Sequence, residues 1–104
     1  MLMTTADTFP DREIAQTLGL VNANAVRARH VGRDILAGLK NIVGGEIRAY
    51  KQLLLESREQ ALEDLERKAA DMGADAIVAL RMATSTVASG AAEILVYGTA
   101  VKLA

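Results

Sequence analysis

The chain has no cysteine and no tryptophan, and it has one proline and one histidine. Without cysteine there is no disulfide, no thiolate metal site and no thiol nucleophile. Only two tyrosines and one phenylalanine stand for the aromatics, and the apolar set is dominated by alanine. Small side chains let backbones approach closely, but each buries little area. Charge of one sign is also missing: 12 basic residues face 13 acidic ones, for a net charge of −1. No global field therefore steers the chain to nucleic acid or to an anionic membrane. No run approaches the ~20 apolar residues that span a bilayer. The segment MLMTTADTFPDRE has neither a basic start nor an unbroken apolar stretch, so no signal peptide is expected. There is no repeat, linker or low-complexity tract. The expectation is one soluble, cytoplasmic domain over 1–104, short enough to bury only a modest share of its surface.

What is present is patterned. A short first segment (Leu2–Ala6) precedes a turn at Pro10 in FPDRE. Residues 14–28, IAQTLGLVNANAVRA, alternate as a strand pair or one long bent strand, with Gly19 as a bulge. On that alternation Leu18, Leu20 and Val26 share one face, and Val21, Ala23 and Ala25 the other. Ile35, Leu36, Leu39 and Val43 predict a short amphipathic helix from Asp34 to Val43, broken by Gly44 and Gly45. The long helix predicted over 46–72 carries the stripe Tyr50, Leu53, Leu54, Ala61, Leu62, Leu65, Ala69 and Met72. Glu63–Arg67 and Asp64–Lys68 are expected i,i+4 pairs, and Gly73 the residue that ends the helix. Residues 75–87 and 91–104 read as strands joined at Ser89-Gly90 into a hairpin. The class is α+β, with a mainly antiparallel sheet on one long helix.

Two features predict self-association. A helix of 27 residues is ~40 Å long, whereas a compact domain of this size is only ~33 Å across, so the helix is expected to overhang its own subunit. Near 76–80 both faces are apolar, with Ile77 and Ala79 on one and Val78 and Leu80 on the other. Residues 94–97 repeat this. One helix covers one face, and another copy of the chain is the expected cover for the second.

The candidate chemistry is sparse. VGGEIRAY is neither a P-loop nor a dinucleotide fingerprint. The amides of Gly44 and Gly45 offer an anion site at a helix start, but Glu46 already supplies negative charge there, and a tight turn with capping is preferred. Arg27, Arg29 and Arg33, with His30, form a cluster that grips a phosphate or carboxylate, or, by preference, salt-bridges the helix acids Glu56, Glu59 and Glu63. No aromatic residue interleaves it, which weakens a nucleic-acid reading. His30 and Asp34 are the weak metal candidates, two ligands without a third for a divalent transition metal. Asp71 and Asp75 read as turn residues, and Tyr50 as a core residue. No catalytic constellation stands out, and the chain is read as a non-enzyme.

The stretch VGRDILAGLKNIVGGEIRAYKQLLLESREQALEDLERKAADMGADAIVALR resembles the YbjQ-like family of small bacterial and archaeal proteins. The residues that carry the resemblance are Arg33, Asp34, Ala37, Gly38, Lys40, Asn41, Gly44, Gly45 and Tyr50. Ser57, Arg58, Glu59 and Ala61 continue it within the helix, and Gly73, Ala74, Asp75, Ala76, Ile77 and Val78 beyond. GAAEILVYGTAVKL (90–103) matches the family's last strand, so the match spans nearly the whole chain. Departures are Asn41, where many relatives carry Asp, and Glu46-Ile47, where others have Arg-Ser. The resemblance implies a dodecin-like subunit assembled as a homopentameric ring; in such an assembly the hairpin is expected to make the intersubunit contacts, with Arg33, Asp34 and Asn41 arranging the loop before the glycine pair. Relatives often carry a heavy-metal-binding label, without a ligand set that transfers to these positions.

Overall fold

The structure, a computed structural model, describes residues 1–28, 44–88 and 91–104. Strand β1 (Leu2–Met3) is followed by β2 (Ile14–Ala28), helix α1 (Gly44–Asp71), β3 (Ala76–Ala88) and β4 (Ala91–Leu103). The strands form one sheet in the order β1-β3-β4-β2. β4 pairs antiparallel with both long neighbours, and β1 adds a short parallel pairing to β3. The fold is α+β, as expected. Residues 14–28 are one continuous strand. The helix expected over 34–43 and the turn at Ser89-Gly90 lie outside the described residues, although Ala88 and Ala91 pair on either side of that turn.

α1 is built largely from strong helix formers, Ala, Leu, Glu, Lys, Gln and Arg. It ends in a Schellman motif. Gly73, at φ +86°, donates its N–H to Ala70 O at 2.9 Å, and Ala74 N–H reaches Ala69 O at 3.0 Å. Both bonds satisfy carbonyls of the last turn, as Gly73 led one to expect. The buried row runs every fourth residue: Leu53, Ser57, Ala61, Leu65 and Ala69. Three of the five are small, so the helix comes close to the sheet, where Val21, Ala23, Ala25, Ile94, Val96 and Ala100 meet it. Ser57 is tolerated in this row because its hydroxyl donates to Leu53 O at 2.8 Å.

The predicted stripe is corrected at both ends. Tyr50 is 40% exposed and Met72 39%, so Tyr50 is not a core residue. Each sits three residues beyond the buried row, roughly 60° round the helix from its end. The ion pairs differ too. Arg67 Nη2 meets Asp64 Oδ1 at 3.1 Å, three residues back, and Lys68 Nζ donates to Asn22 O of β2 at 3.1 Å.

Of the four register shifts among the described residues of the sheet, two fall at positive-φ residues and reset the alternation. At Gly19 (φ +128°) the pairing with β4 shifts register. Leu18 therefore packs with Val21, Ala23 and Ala25 against the helix, rather than sharing a face with Leu20 and Val26. At Ala79 (φ +54°) β3 shifts against β4, which brings Leu80 onto the same side as Ile77. The kink is held by the N-terminal segment: Ala79 N–H donates to Ala6 O at 2.8 Å and Leu80 N–H to Thr4 O at 3.0 Å. A left-handed alanine carries about 1 kcal/mol or more of strain, and glycine's extra chain entropy offsets roughly 0.5–1 kcal/mol of any relief. Ala79→Gly is accordingly expected to leave stability within about 1 kcal/mol of the parent, on the stabilising side. Urea denaturation checks it; a larger loss would mean the methyl group packs.

The second apolar face has two different answers along its length. At the β3 start, Ala76, Val78 and Val101 are covered by Phe9, Ile14 and Leu103, so this chain's own N-terminal segment does there what a second copy was expected to do. That segment turns at Pro10, where Arg12 N–H donates to Phe9 O at 3.3 Å. Farther along, Leu20 and Val26 stay exposed at 69% and 56%. The molecule measures 54 × 23 × 16 Å with a radius of gyration of 17.1 Å, against ~13 Å for a compact domain of this size. The helix length is thus met by an elongated domain, with long strands beside the helix, rather than by a compact body that it overhangs.

Candidate functional site

Six of the sequence-derived candidates fall outside the described residues: Arg29, His30, Arg33, Asp34, Gly38 and Asn41 all lie in the 29–43 stretch. Arg27 is placed by backbone at the end of β2, opposite Ala92. Gly44 and Gly45 are the first two residues of α1, so the pair lies within the long helix, which the sequence started at residue 46 after a tight turn. Arg58 and Glu59 are exposed on α1, and so are Glu56 and Glu63. Asp75 joins the strands: its N–H donates to Val101 O at 2.9 Å, and its Oδ2 accepts from Leu103 N–H at 2.9 Å. That fixes the helix exit against the end of β4, a long-range tie in addition to the turn role that the sequence suggested.

What the structure does assemble is a surface: the face of the sheet turned away from α1. Register places its side chains in level rows across β2, β4 and β3. The rows are Asn22–Tyr97–Arg81, Asn24–Leu95–Ala83 and Val26–Glu93–Ser85, with Leu20–Thr99–Val78 at the near end. Tyr97 is 38% exposed, and Leu95 is half-buried. The polar groups are local in their bonding. Asn24 Nδ2 donates to Glu93 Oε2 at 3.3 Å, and Arg81 Nη1 donates to Thr5 O and Leu80 O at 2.8 and 2.9 Å. Arg81 is thereby turned toward the N-terminal segment. Exposed Leu, Val and Tyr interleaved with amides and one acid form the kind of patch that marks a protein contact. Period-two alternation had placed Leu20 and Val26 on one face. The rows that join them to Tyr97, Arg81 and Ala83 needed the strand order and register, which no local pattern gives.

Among the described residues no group of three or more His, Cys, Asp or Glu side chains could hold a metal ion. Among the same residues no helix is long and apolar enough to cross a membrane.

A family model, YbjQ_1, described as "Putative heavy-metal-binding", matches residues 1–104. A UPF0145 protein of Hahella chejuensis is 56% identical over 101 residues, covering 97% of each chain. One from Archaeoglobus fulgidus is 54% identical over 103 residues, 99% of this chain and 95% of the relative. A crystal structure of a DUF74-family protein of unknown function from Pediococcus pentosaceus superposes with a TM-score of 0.68 at 20% identity. It covers 100% of this chain and 98% of the other, a likeness that speaks to the fold alone.

Proposed function

The chain belongs to the YbjQ family, and from that premise we propose that it is a non-enzymatic, ring-forming homo-oligomer, a pentamer, with a binding or scaffolding role in the cytoplasm. The observation that carries this reading is the helix-free face, where Leu20, Val26 and Tyr97 remain exposed on an elongated subunit. A second copy supplies the apolar cover that a single helix leaves undone. Native mass spectrometry and light scattering test it: a particle of five 11.1 kDa chains is expected, and a monomer at micromolar concentration overturns the reading. Placing charge on the face should act on assembly rather than on folding. The double variant Leu20→Lys/Val26→Lys is expected to weaken assembly by about a hundredfold, because lysines buried without partners oppose association. The far-UV spectrum is expected to stay that of the parent. Unchanged mass in that variant would show that the face is not a contact.

A second reading, a metal-binding module, is favoured by the family model's description. The described residues of one subunit do not fit it, so its ligands fall to His30 and Asp34, gathered across subunits. Calorimetric titration with zinc, nickel and copper decides it. Heat that His30→Ala abolishes supports the module, and absence of heat with all three removes it.

A further inference from the structure

We propose that copies of the chain join edge to edge, the outer edge of β2 in one copy pairing with the open edge of β3 in the next, so that one sheet runs through the assembly. The inference rests on the homo-oligomer reading above and adds the strand edges to the open face as surfaces of contact.

Open strand edges invite uncontrolled pairing, and natural sheets blunt them with charges, prolines or bulges. This sheet has two open edges among the described residues: β2 on one side, and β3 beyond the part covered by β1 on the other. Residues 14–26 contain no Asp, Glu, Lys, Arg or Pro, and residues 82–88 contain none either. In a chain that is 24% charged, the charges of the two open edges are thus confined to Arg27 at the end of β2 and Arg81 at the start of the open run of β3. The stretches 20–26 and 82–85 have neither charge, proline nor register shift. The register shifts on β2, at Ile14/Gln16 and Thr17/Gly19, both lie before the run 20–28, which pairs with β4 without a further shift; on β3 the open run carries one shift, at Thr86/Ala88, near its far end. Such edges stay soluble when a strand covers them.

The two edges also fit each other. Register puts Asn22 level with Arg81, and Ala28 level with Ala88, through their shared partners on β4. The open runs therefore occupy the same half of the molecule. Both strands run antiparallel to β4, so they point the same way, and a continuous sheet pairs them in parallel. Two different edges meeting make a head-to-tail contact, which closes into a ring when the rotation allows it. A β2–β2 contact would instead stop at a dimer.

The absence of native cysteine makes the test clean. Asn24 and Ala83 are both exposed and lie in the same row. Under mild oxidation the double variant Asn24→Cys/Ala83→Cys is expected to give a ladder of covalent multimers on a non-reducing gel. Each single variant is expected to stay unlinked. On the unmodified protein, hydrogen exchange read residue by residue should show outward amides of 20–28 and 81–88 slowed by about a hundredfold or more relative to open chain. A dimer from Asn24→Cys alone overturns the pairing in favour of β2–β2. An assembled particle with no ladder and fast exchange on both edges overturns it and leaves the oligomer standing. A monomeric parent overturns both.

Discussion

Replacing Leu65 by alanine is expected to lower the free energy of unfolding by about 2–5 kcal/mol. Leu65 is fully buried in the middle of the helix row that faces the sheet. The residues on either side of it in its helix row, Ala61 and Ala69, are alanines, and the cluster it belongs to includes Ala23, Ala25 and Ala100. A row of small residues brings backbones together but supplies few atoms that move into a void, so the cavity stays largely open and the loss belongs in the upper part of that range. Urea denaturation at fixed protein concentration measures it, since assembly makes stability concentration-dependent. Leu55→Ala on the outward side, where Leu55 is 42% exposed, should change stability by no more than about 0.5–1 kcal/mol. Equal effects at the two sites would mean that the helix does not dock through this row.

Gly98→Ala is the other substitution with a large expected effect, about 1–3 kcal/mol of destabilisation. A methyl group built on Gly98 lies 2.7 Å from Ile77 Cγ2, 3.0 Å from Val78 O and 3.4 Å from Leu80 Cα. Two of these three atoms are backbone. The third belongs to a fully buried side chain, so nothing nearby swings aside. The closeness follows from the β3 bulge at Ala79, where the pairing skips from Val78↔Thr99 to Arg81↔Tyr97 and the kinked strand leans over β4. Thermal unfolding should fall by several degrees per kcal/mol lost. Ile77→Ala in the same chain should make the Gly98→Ala penalty smaller by removing the nearest atom, a coupling that a double-mutant cycle reads directly. Strict additivity would place the strain elsewhere.

Both predictions depend on geometry that the sequence shows unequally. The helix was legible because its signals are local. Strong formers fill 48–70 apart from Tyr50, Ser57 and Asp64, and Gly73 stands where a left-handed residue must close the last turn. The two strands after it were legible to within a residue or two, because β-branched and alternating residues flank a Ser-Gly turn signal. Gly19 was legible as a bulge. Its consequence for Leu18 was not, since parity after a bulge depends on how many residues the partner strand supplies. The kink at Ala79 left no trace, because alanine carries no preference for positive φ. It is imposed by Thr4 and Ala6, more than seventy residues away, whose carbonyls take the two amides there.

The site divides along the same line. By themselves the residues determined one long helix, a hairpin, the α+β class and the family pattern through Gly44, Gly45, Tyr50, Gly73 and Asp75, since each is a matter of local backbone preference or of spacing along the chain. Only the tertiary structure decided that Tyr50 faces solvent and that Phe9 and Ile14 cover one end of the sheet. It alone set the rows that join Leu20, Tyr97 and Arg81 on an open face. Those outcomes turn on which strands become neighbours and in what register. That is fixed by burial summed over the whole sheet, not by any residue's own propensity.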